Sequence, residues 1–246
     1  ERRRTAICAN KKMLESKEIT KKFMSKTAVD HVSIKMEPGH IYAILGPNGS
    51  GKTTWMKMAA GLTKPTSGEM LYNGAPINVE SKKRIAYMST EPYFYSWMTI
   101  GDVGKYYNDF FDDFSMERYL ALLKRMQLTP DLKAKNLSSG MMAKAKIAVT
   151  MARKAEIILL DEPLNGIDLI AREDIIKTIL EECDEHTALM VSSHLVDELE
   201  KIVDTAIFMK ESVVVYSCIT EELREKEGLS IVDMYRKIYG YGGMTE

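Results

Sequence analysis

The chain has 246 residues, 45% hydrophobic and 28% charged, with a formal net charge of -1. That is an ordinary globular balance, enough for one large α/β domain or two small ones, and the charge gives no general pull toward nucleic acid or anionic lipid. Cys8, Cys183 and Cys218 are odd in number and far apart, which argues against a disulfide framework and fits a reducing compartment. The four histidines, His31, His40, His186 and His194, have no metal-ligand spacing. No apolar run reaches the roughly 18 residues of a membrane span, so any role at a membrane needs a partner that supplies the span.

In chain order, residues 1–13 read as an arm outside the fold. Glu1-Arg2-Arg3-Arg4 and Lys11-Lys12 are charged, the first methionine is Met13, and no apolar segment follows the arginines as a signal peptide requires. A frayed or artefactual terminus is favoured over a basic arm touching lipid. Ile41 to Leu45 is an apolar run closed by Gly46 and reads as a buried strand. A helix is predicted from Thr53, stopped by Gly61. Asn73-Gly74 predicts a hairpin between Glu69–Tyr72 and Ala75–Val79. Residues near Thr99 to Gln127 read as mostly helical, with Leu120, Leu122, Leu123 and Met126 on one face. Met142 to Arg153 is a further helix. Ile157 to Leu160 is a second buried strand, Ile170 to Cys183 an amphipathic helix, and Ala188 to Val191 a third strand. Leu195 to Ile202 reads as helix, then Ala206 to Met209 and Val213 to Tyr216 as strands. Such alternation favours a mainly parallel sheet with helices on both faces. The seventeen methionines read as core filler rather than as a flexible binding groove. Gly240-Tyr241-Gly242-Gly243 reads as a loose terminus.

The sharpest pattern is Gly46-Pro47-Asn48-Gly49-Ser50-Gly51-Lys52-Thr53, which fits G-x-x-x-x-G-K-[ST] between a strand and a helix. A triphosphate is compact and highly charged. Backbone N–H groups surround it only where glycines let the chain curl and approach closely. The following helix N-terminus favours an anion. Lys52 is expected to reach the β and γ phosphates, and Thr53 to place its hydroxyl on Mg²⁺. Thr54 is placed in the same nucleotide-binding set.

Asp161 and Glu162 end the second buried strand. Side chains alternate along a strand, so the two acids can take different jobs. Asp161 is assigned to Mg²⁺, and Glu162 to orienting or deprotonating the attacking water. His194, at the end of a neighbouring strand, can contact the γ-phosphate; taken alone it reads as a helix-start residue, and its order in the chain is what points to the phosphate. Ser138, Ser139 and Gly140 precede a helix. They either cap it or offer N–H groups and hydroxyls to a second phosphate site.

In this order the motifs resemble the ABC ATPase family, over nearly all of residues 14 to about 216. The phosphate loop is Gly46 to Thr53, and the signature segment resembles Leu137-Ser138-Ser139-Gly140-Met141. The acidic strand is Leu159 to Pro163, the D-loop resembles Asn165-Gly166-Ile167-Asp168, and the switch histidine resembles His194. Phe23 lies where such proteins stack a ring on adenine. The resemblance implies an α/β P-loop NTPase fold in a single domain, residues 14–246. It would have a mainly parallel core sheet, an N-terminal antiparallel β subdomain and a helical subdomain near residues 92–150. It implies ATP and Mg²⁺ as ligands, and two copies facing head to tail, so that Ser138, Ser139 and Gly140 of one contact the γ-phosphate held by the other. Asp168 joins that nucleotide set.

The implied partners are a transmembrane permease subunit and a second ATP-binding subunit, identical or not, and no nucleic acid. The implied place is the cytoplasmic face of the cell membrane. The resemblance leans toward bacterial exporters of the ABC-2 type. A soluble ABC ATPase, for example in Fe–S assembly, and a weakly hydrolysing regulatory subunit are the competing readings.

Two positions depart from the family pattern. Ser139 stands at a usual glycine. Thr90, in Ser89-Thr90-Glu91-Pro92, stands at a usual glutamine, where it is short and is counted as an indirect Mg²⁺ candidate beside Thr53 and Asp161. The aromatics Tyr93, Phe94, Tyr95 and Trp97 follow, in the region where the family receives its membrane partner. Partner groove and helical-core filler are equally weighted readings for them.

Overall fold

The computed structural model describes residues 13–240. The charged arm of residues 1–12 and the end of the glycine-rich tail lie outside the described residues. Met13, placed in the arm by sequence, is buried, and its N–H donates to Met36 O at 3.1 Å.

Two sheets carry the fold. The first is antiparallel, in the order β2 (Lys26–Met36), β1 (Leu14–Phe23), β4 (Ser67–Tyr72), β5 (Ala75–Pro76). The second is six-stranded, in the order β10 (Val213–Ile219), β9 (Thr205–Lys210), β3 (Ile41–Leu45), β8 (Ala188–Ser193), β7 (Ile157–Asp161), β6 (Ile85–Met88). Its strands pair in parallel except β10, which returns antiparallel to β9. The return passes through Glu211 and Ser212, both at positive φ (49 and 73), as a two-residue hairpin requires.

Alternation divides the core. Ala43 and Leu45 of β3 and Ile158 and Leu160 of β7 face one apolar cluster, while Tyr42, Ile44, Ile157 and Leu159 face another. The first cluster also holds the inner faces of α3 (Ile100–Phe110), α4 (Met116–Arg125) and α5 (Ser139–Met151). The second holds α1 (Lys52–Ala59) against the antiparallel sheet, with Trp55, Met36 and Met56 fully buried. Methionine is mostly core here; among the described methionines Met24, at a hairpin tip, is the exposed exception.

Several local expectations change. The Asn73-Gly74 hairpin forms, but its second arm is only Ala75–Pro76, because Asn78 caps α2 (Val79–Lys83) through a capping box with Ser81. The stretch from Thr99 to Gln127 is two helices. Phe111 is extended and Ser115 caps the second helix. Leu122, Leu123 and Met126 are buried, but Leu120 is exposed. After α6 (Leu169–Glu181), the helix expected over Leu195 to Ile202 shortens to α7 (Val196–Leu199). Beyond β10 lie two helices the sequence reading did not anticipate, α8 (Thr220–Glu227) and α9 (Ile231–Tyr239). The Tyr239 hydroxyl donates to Leu45 O (3.2 Å) and Met209 O (2.8 Å), tying α9 to the base of the Gly46 loop.

Arg153, just past α5, is a buried joint. It forks onto the Asp113 carboxylate at 3.0 and 3.1 Å, donates to Ile85 O and Lys83 O, and lies 4.0 Å from the Phe111 ring centre.

Candidate functional site

Register brings the motifs together. Leu45 pairs with Ser193, and Asp161 pairs with Ser192. The chain therefore leaves β3, β7 and β8 at one edge, the carboxyl ends of a parallel sheet, where such folds place their ligands.

The Gly46–Gly51 loop needs its glycines. A Cβ on Gly46 would lie 2.3 Å from Met209 O, and one on Gly51 would lie 2.5 Å from Ala28 O, with Gly51 also at φ 110. Gly51 leads directly into α1, whose first residue is Lys52. The Lys52 side chain is buried and folds back along the loop. Its Nζ donates to Gly46 O (2.7 Å) and Pro47 O (3.2 Å) and lies 3.6 Å from Glu162 Oε1.

Asp161 is fully buried and accepts three hydroxyls. Ser192 Oγ donates to Oδ1 at 2.6 Å, Thr53 Oγ1 to Oδ1 at 3.1 Å, and Tyr87 to Oδ2 at 3.3 Å. Burial, and then the charge of Asp161, push the Tyr87 phenol well up, so it remains a neutral donor. Tyr87 escaped the sequence reading. Only its place on β6, beside β7, could have signalled it.

Glu162 sits at φ 49, a left-handed conformation that side chains other than glycine seldom take. Its N–H is shared between Ser192 Oγ (2.9 Å) and Ser192 O (3.2 Å). Its Oε2 contacts His194 Nδ1 at 2.8 Å. Its Oε1 is buried and has no hydrogen-bond partner, and the same is true of Ser50 Oγ. Leaving such atoms unpaired costs roughly 1–3 kcal/mol each, so both mark places where a ligand or water completes the bonding. The residues therefore fit a bound polyphosphate: glycine-lined N–H groups, a buried ammonium, and two acceptor or donor atoms awaiting partners. Among the described residues no group of three His, Cys, Asp or Glu side chains could cage a metal ion. The Thr53–Asp161 oxygen pair is a partial hard-ligand set. That suits Mg²⁺, which commonly takes one or two protein oxygens and completes its shell with phosphate and water.

One cleft of about 410 Å³ gathers Phe23, Asn48, Gly49, Gly51, Lys52, Thr53, Thr54, Thr90, Glu162 and His194. Phe23 stands half exposed at its rim, with Lys21 Nζ 5.0 Å from the ring centre. A second cleft of about 260 Å³ adjoins it, lined by Thr90, Ser139, Lys146, Asp161 and Glu162 among others.

Ser138, Gly140 and Asp168 do not line either cleft. Ser138 accepts from Met141 N at 3.2 Å as the cap of α5, and Asp168 accepts from Ala171 N at 3.0 Å as the cap of α6. The signature and D-loop segments pack on each other. A Cβ on Gly166 would meet the Ser139 Cβ at 3.1 Å, and a Cβ on Gly140 would meet Gly166 O at 3.0 Å. Ser139 thus fits at a usual glycine position because residue 166 is itself glycine.

The aromatic run divides. Tyr93 and Phe94 are partly buried and pack against the core. Tyr95 and Trp97 are exposed and stack on each other, with centroids 5.9 Å apart and planes 13° from parallel. With Tyr106, Phe110 and neighbours, Tyr93 to Tyr95 line a groove of about 310 Å³. No described helix is long and apolar enough to cross a membrane.

Comparison with known proteins agrees with this geometry. A family profile described as ABC transporter matches residues 29–165. The "ABC transporter ATP-binding protein YtrB" of Bacillus subtilis (strain 168) is 27% identical, over 87% of this chain and 74% of its own length. The "Uncharacterized ABC transporter ATP-binding protein YcbN" of the same organism is 32% identical, over 86% and 71%. The "Lantibiotic transport ATP-binding protein SrtF" of Streptococcus pyogenes is 29% identical, over 82% and 89%. Among solved structures, an ATP-binding subunit of an ABC transporter superposes with a TM-score of 0.83, at 21% identity, over 92% of this chain and 99% of that one. A dimeric ATP-binding cassette bound to ADP and Pi superposes at 0.75, with 23% identity, over 84% and 98%. The chain belongs to the ABC transporter family, as one of its ATP-binding, ATP-hydrolysing subunits.

Proposed function

We propose that this single-domain subunit drives an exporter from the cytoplasmic face of the membrane, and that two copies close head to tail around ATP and Mg²⁺. The observation that carries the reading is the state of Glu162. One carboxylate oxygen is held by His194, while the other is buried, without a hydrogen bond, and pairs only at 3.6 Å with the Lys52 ammonium. An acceptor so placed can take a proton from a water at the mouth of the phosphate loop.

Lys52, released from its own loop carbonyls, turns to the β and γ phosphates, and the loop N–H groups with Ser50 complete the cradle. Thr53 and Asp161 would hold a magnesium ion, which when bound would neutralise phosphate charge, and Thr90 would reach it only through water. His194 keeps the Glu162 side chain in place and offers its other ring nitrogen toward the γ-phosphate. Phe23 receives the adenine. Ser138, Gly140 and Asp168, which line neither cleft of their own chain, and Ser139, which lines only the adjoining one, serve the cleft of the second copy. A dimeric cassette holding ADP and Pi, similar in fold, supports that arrangement.

The groove of Tyr95, Tyr106 and Phe110, with Trp97 stacked on Tyr95 beside it, is the seat of the membrane partner, since exposed aromatics beside a pocket are typical binding anchors. The exporter direction is supported by relatives named for lantibiotic and multidrug transport.

Light scattering of the Glu162→Gln protein tests the core of this reading. With ATP and Mg²⁺ its mass should double, and Ser138→Arg should return it to a single copy. A Glu162→Gln protein that binds ATP and stays monomeric, in the presence of its membrane partner as well, would sink the head-to-tail arrangement.

A further inference from the structure

Lys146 lies in the middle of α5 and is 5% exposed. Its neighbours Ala143, Ala145, Ile147 and Ala148 are all buried apolar residues of the core. Burial pulls its pKa down, as expected for a charge taken out of water. The cost of such a position is not met by a carboxylate. Glu91, the acid whose charge reaches it, is bonded instead to Lys57 at 2.7 Å.

All three ammonium protons go to consecutive backbone carbonyls: Ser89 O at 3.1 Å, Thr90 O at 3.0 Å and Glu91 O at 2.7 Å. The Tyr93 ring lies 5.0 Å away, within range of a cation–π attraction. Three successive carbonyls converging on one cation fix the path of that loop.

The loop so held is the one between the clefts and the aromatic groove. Thr90 lines the cleft with Lys52, Thr53 and Glu162, and lines the adjoining cleft with Ser139 and Lys146 itself. Tyr93 to Tyr95, just beyond, line the groove. Thr90 is exposed.

We propose that Lys146 is a positioning residue for ATP hydrolysis. It fastens Ser89–Glu91 to the signature helix α5, so that Thr90, the groove aromatics and the N-terminus of α5 move as one body. The inference rests on the nucleotide-site reading above.

The test uses the full chain with Lys146→Met, which keeps length and removes the charge, and Lys146→Gln, which keeps a donor. Trp97 is exposed beside the loop and Trp55 is fully buried, so the emission difference between parent and Trp97→Phe isolates the loop signal. In the parent, Mg-ATP should shift Trp97 emission. In Lys146→Met that response should vanish and kcat should fall about tenfold, while the Kd for ATP stays within about threefold, the pattern of an interaction needed for turnover and not for binding. Lys146→Gln should fall between them, and it carries the test if Lys146→Met fails to fold.

A folded variant that keeps either the Trp97 response or the parental kcat overturns the proposal, as does a parent whose Trp97 ignores bound ATP. A parent that fails to bind ATP at all overturns the nucleotide-site reading itself. That result appears before any Lys146 variant is made.

Discussion

The phosphate-loop cleft and the aromatic groove flank one short loop, Ser89 to Glu91, and they are built by opposite means. The cleft sits on strand ends, and its key side chains are held by hydrogen bonds to backbone or to one another. The groove sits on helices and loops, and its shape comes from ring packing, with Tyr106 and Phe110 centroids 4.6 Å apart and Tyr93 and Phe94 4.9 Å apart. Hydrogen bonds fix an atom to a fraction of an ångström, which chemistry needs. Ring packing fills volume and tolerates adjustment, which suits a surface that must meet another protein. The difference is the one the proposed function calls for, with turnover on one side and docking on the other.

The largest separation should come from Glu162→Gln. Removing a general base lowers phosphate release by about a thousandfold, measured in steady state, and should leave ATP affinity and partner capture through the groove intact. Loss of both functions together would erase the distinction drawn here.

Arg153→Met comes next. It leaves Asp113 without its fork and frees two carbonyls. We expect about 2 kcal/mol of lost stability by urea titration, below the usual cost of breaking a buried pair because Asp113 keeps some water. The groove half should loosen before the phosphate loop, which hydrogen exchange can resolve.

Phe110→Ala should weaken capture of the membrane subunit by about tenfold while the isolated chain hydrolyses ATP at its normal rate, as for a single aromatic anchor. Co-purification at graded expression levels would read this.

The smallest effect concerns Cys183, which packs against the same core cluster as the helical half. Burial pushes its thiol up to about 12 from an ordinary 9.0. The folded state therefore favours the neutral thiol. The associated stability is full below pH 9.0 and falls as pH climbs toward about 12. At pH 9 the Cys183 peptide should alkylate slowly in the folded protein and quickly in urea, read by mass spectrometry.

What the sequence displayed follows the same divide. Gly46 to Thr53, Asp161-Glu162 and His194 were legible because each is a short segment whose chemistry depends on its own backbone path. Parallel pairing then had only to bring the segments to one edge, as Leu45–Ser193 and Asp161–Ser192 do. Lys146 and Tyr87 were invisible, because their partners lie 55 to 57 and 74 residues away and no spacing announces them. The break at Phe111 to Ser115 was lost in a stretch of helix-compatible residues. It follows from a cap at Ser115 and from Asp113 being drawn to Arg153. Leu120 misled because periodicity identifies a face but not what covers it. The helices after β10 lacked a motif, and their docking depends on distant carbonyls such as Leu45 O.

The left-handed backbone of Glu162 has a consequence for descent. A side chain held at φ 49 carries a conformational penalty of about 1–2 kcal/mol that glycine does not, and asparagine tolerates such angles better than most residues. On the proposed role of Glu162 in turnover, backbone conformation and hydrolysis therefore pull residue 162 in opposite directions. A duplicated copy relieved of hydrolysis would gain stability by changing residue 162, with Lys52 and the glycine loop left in place.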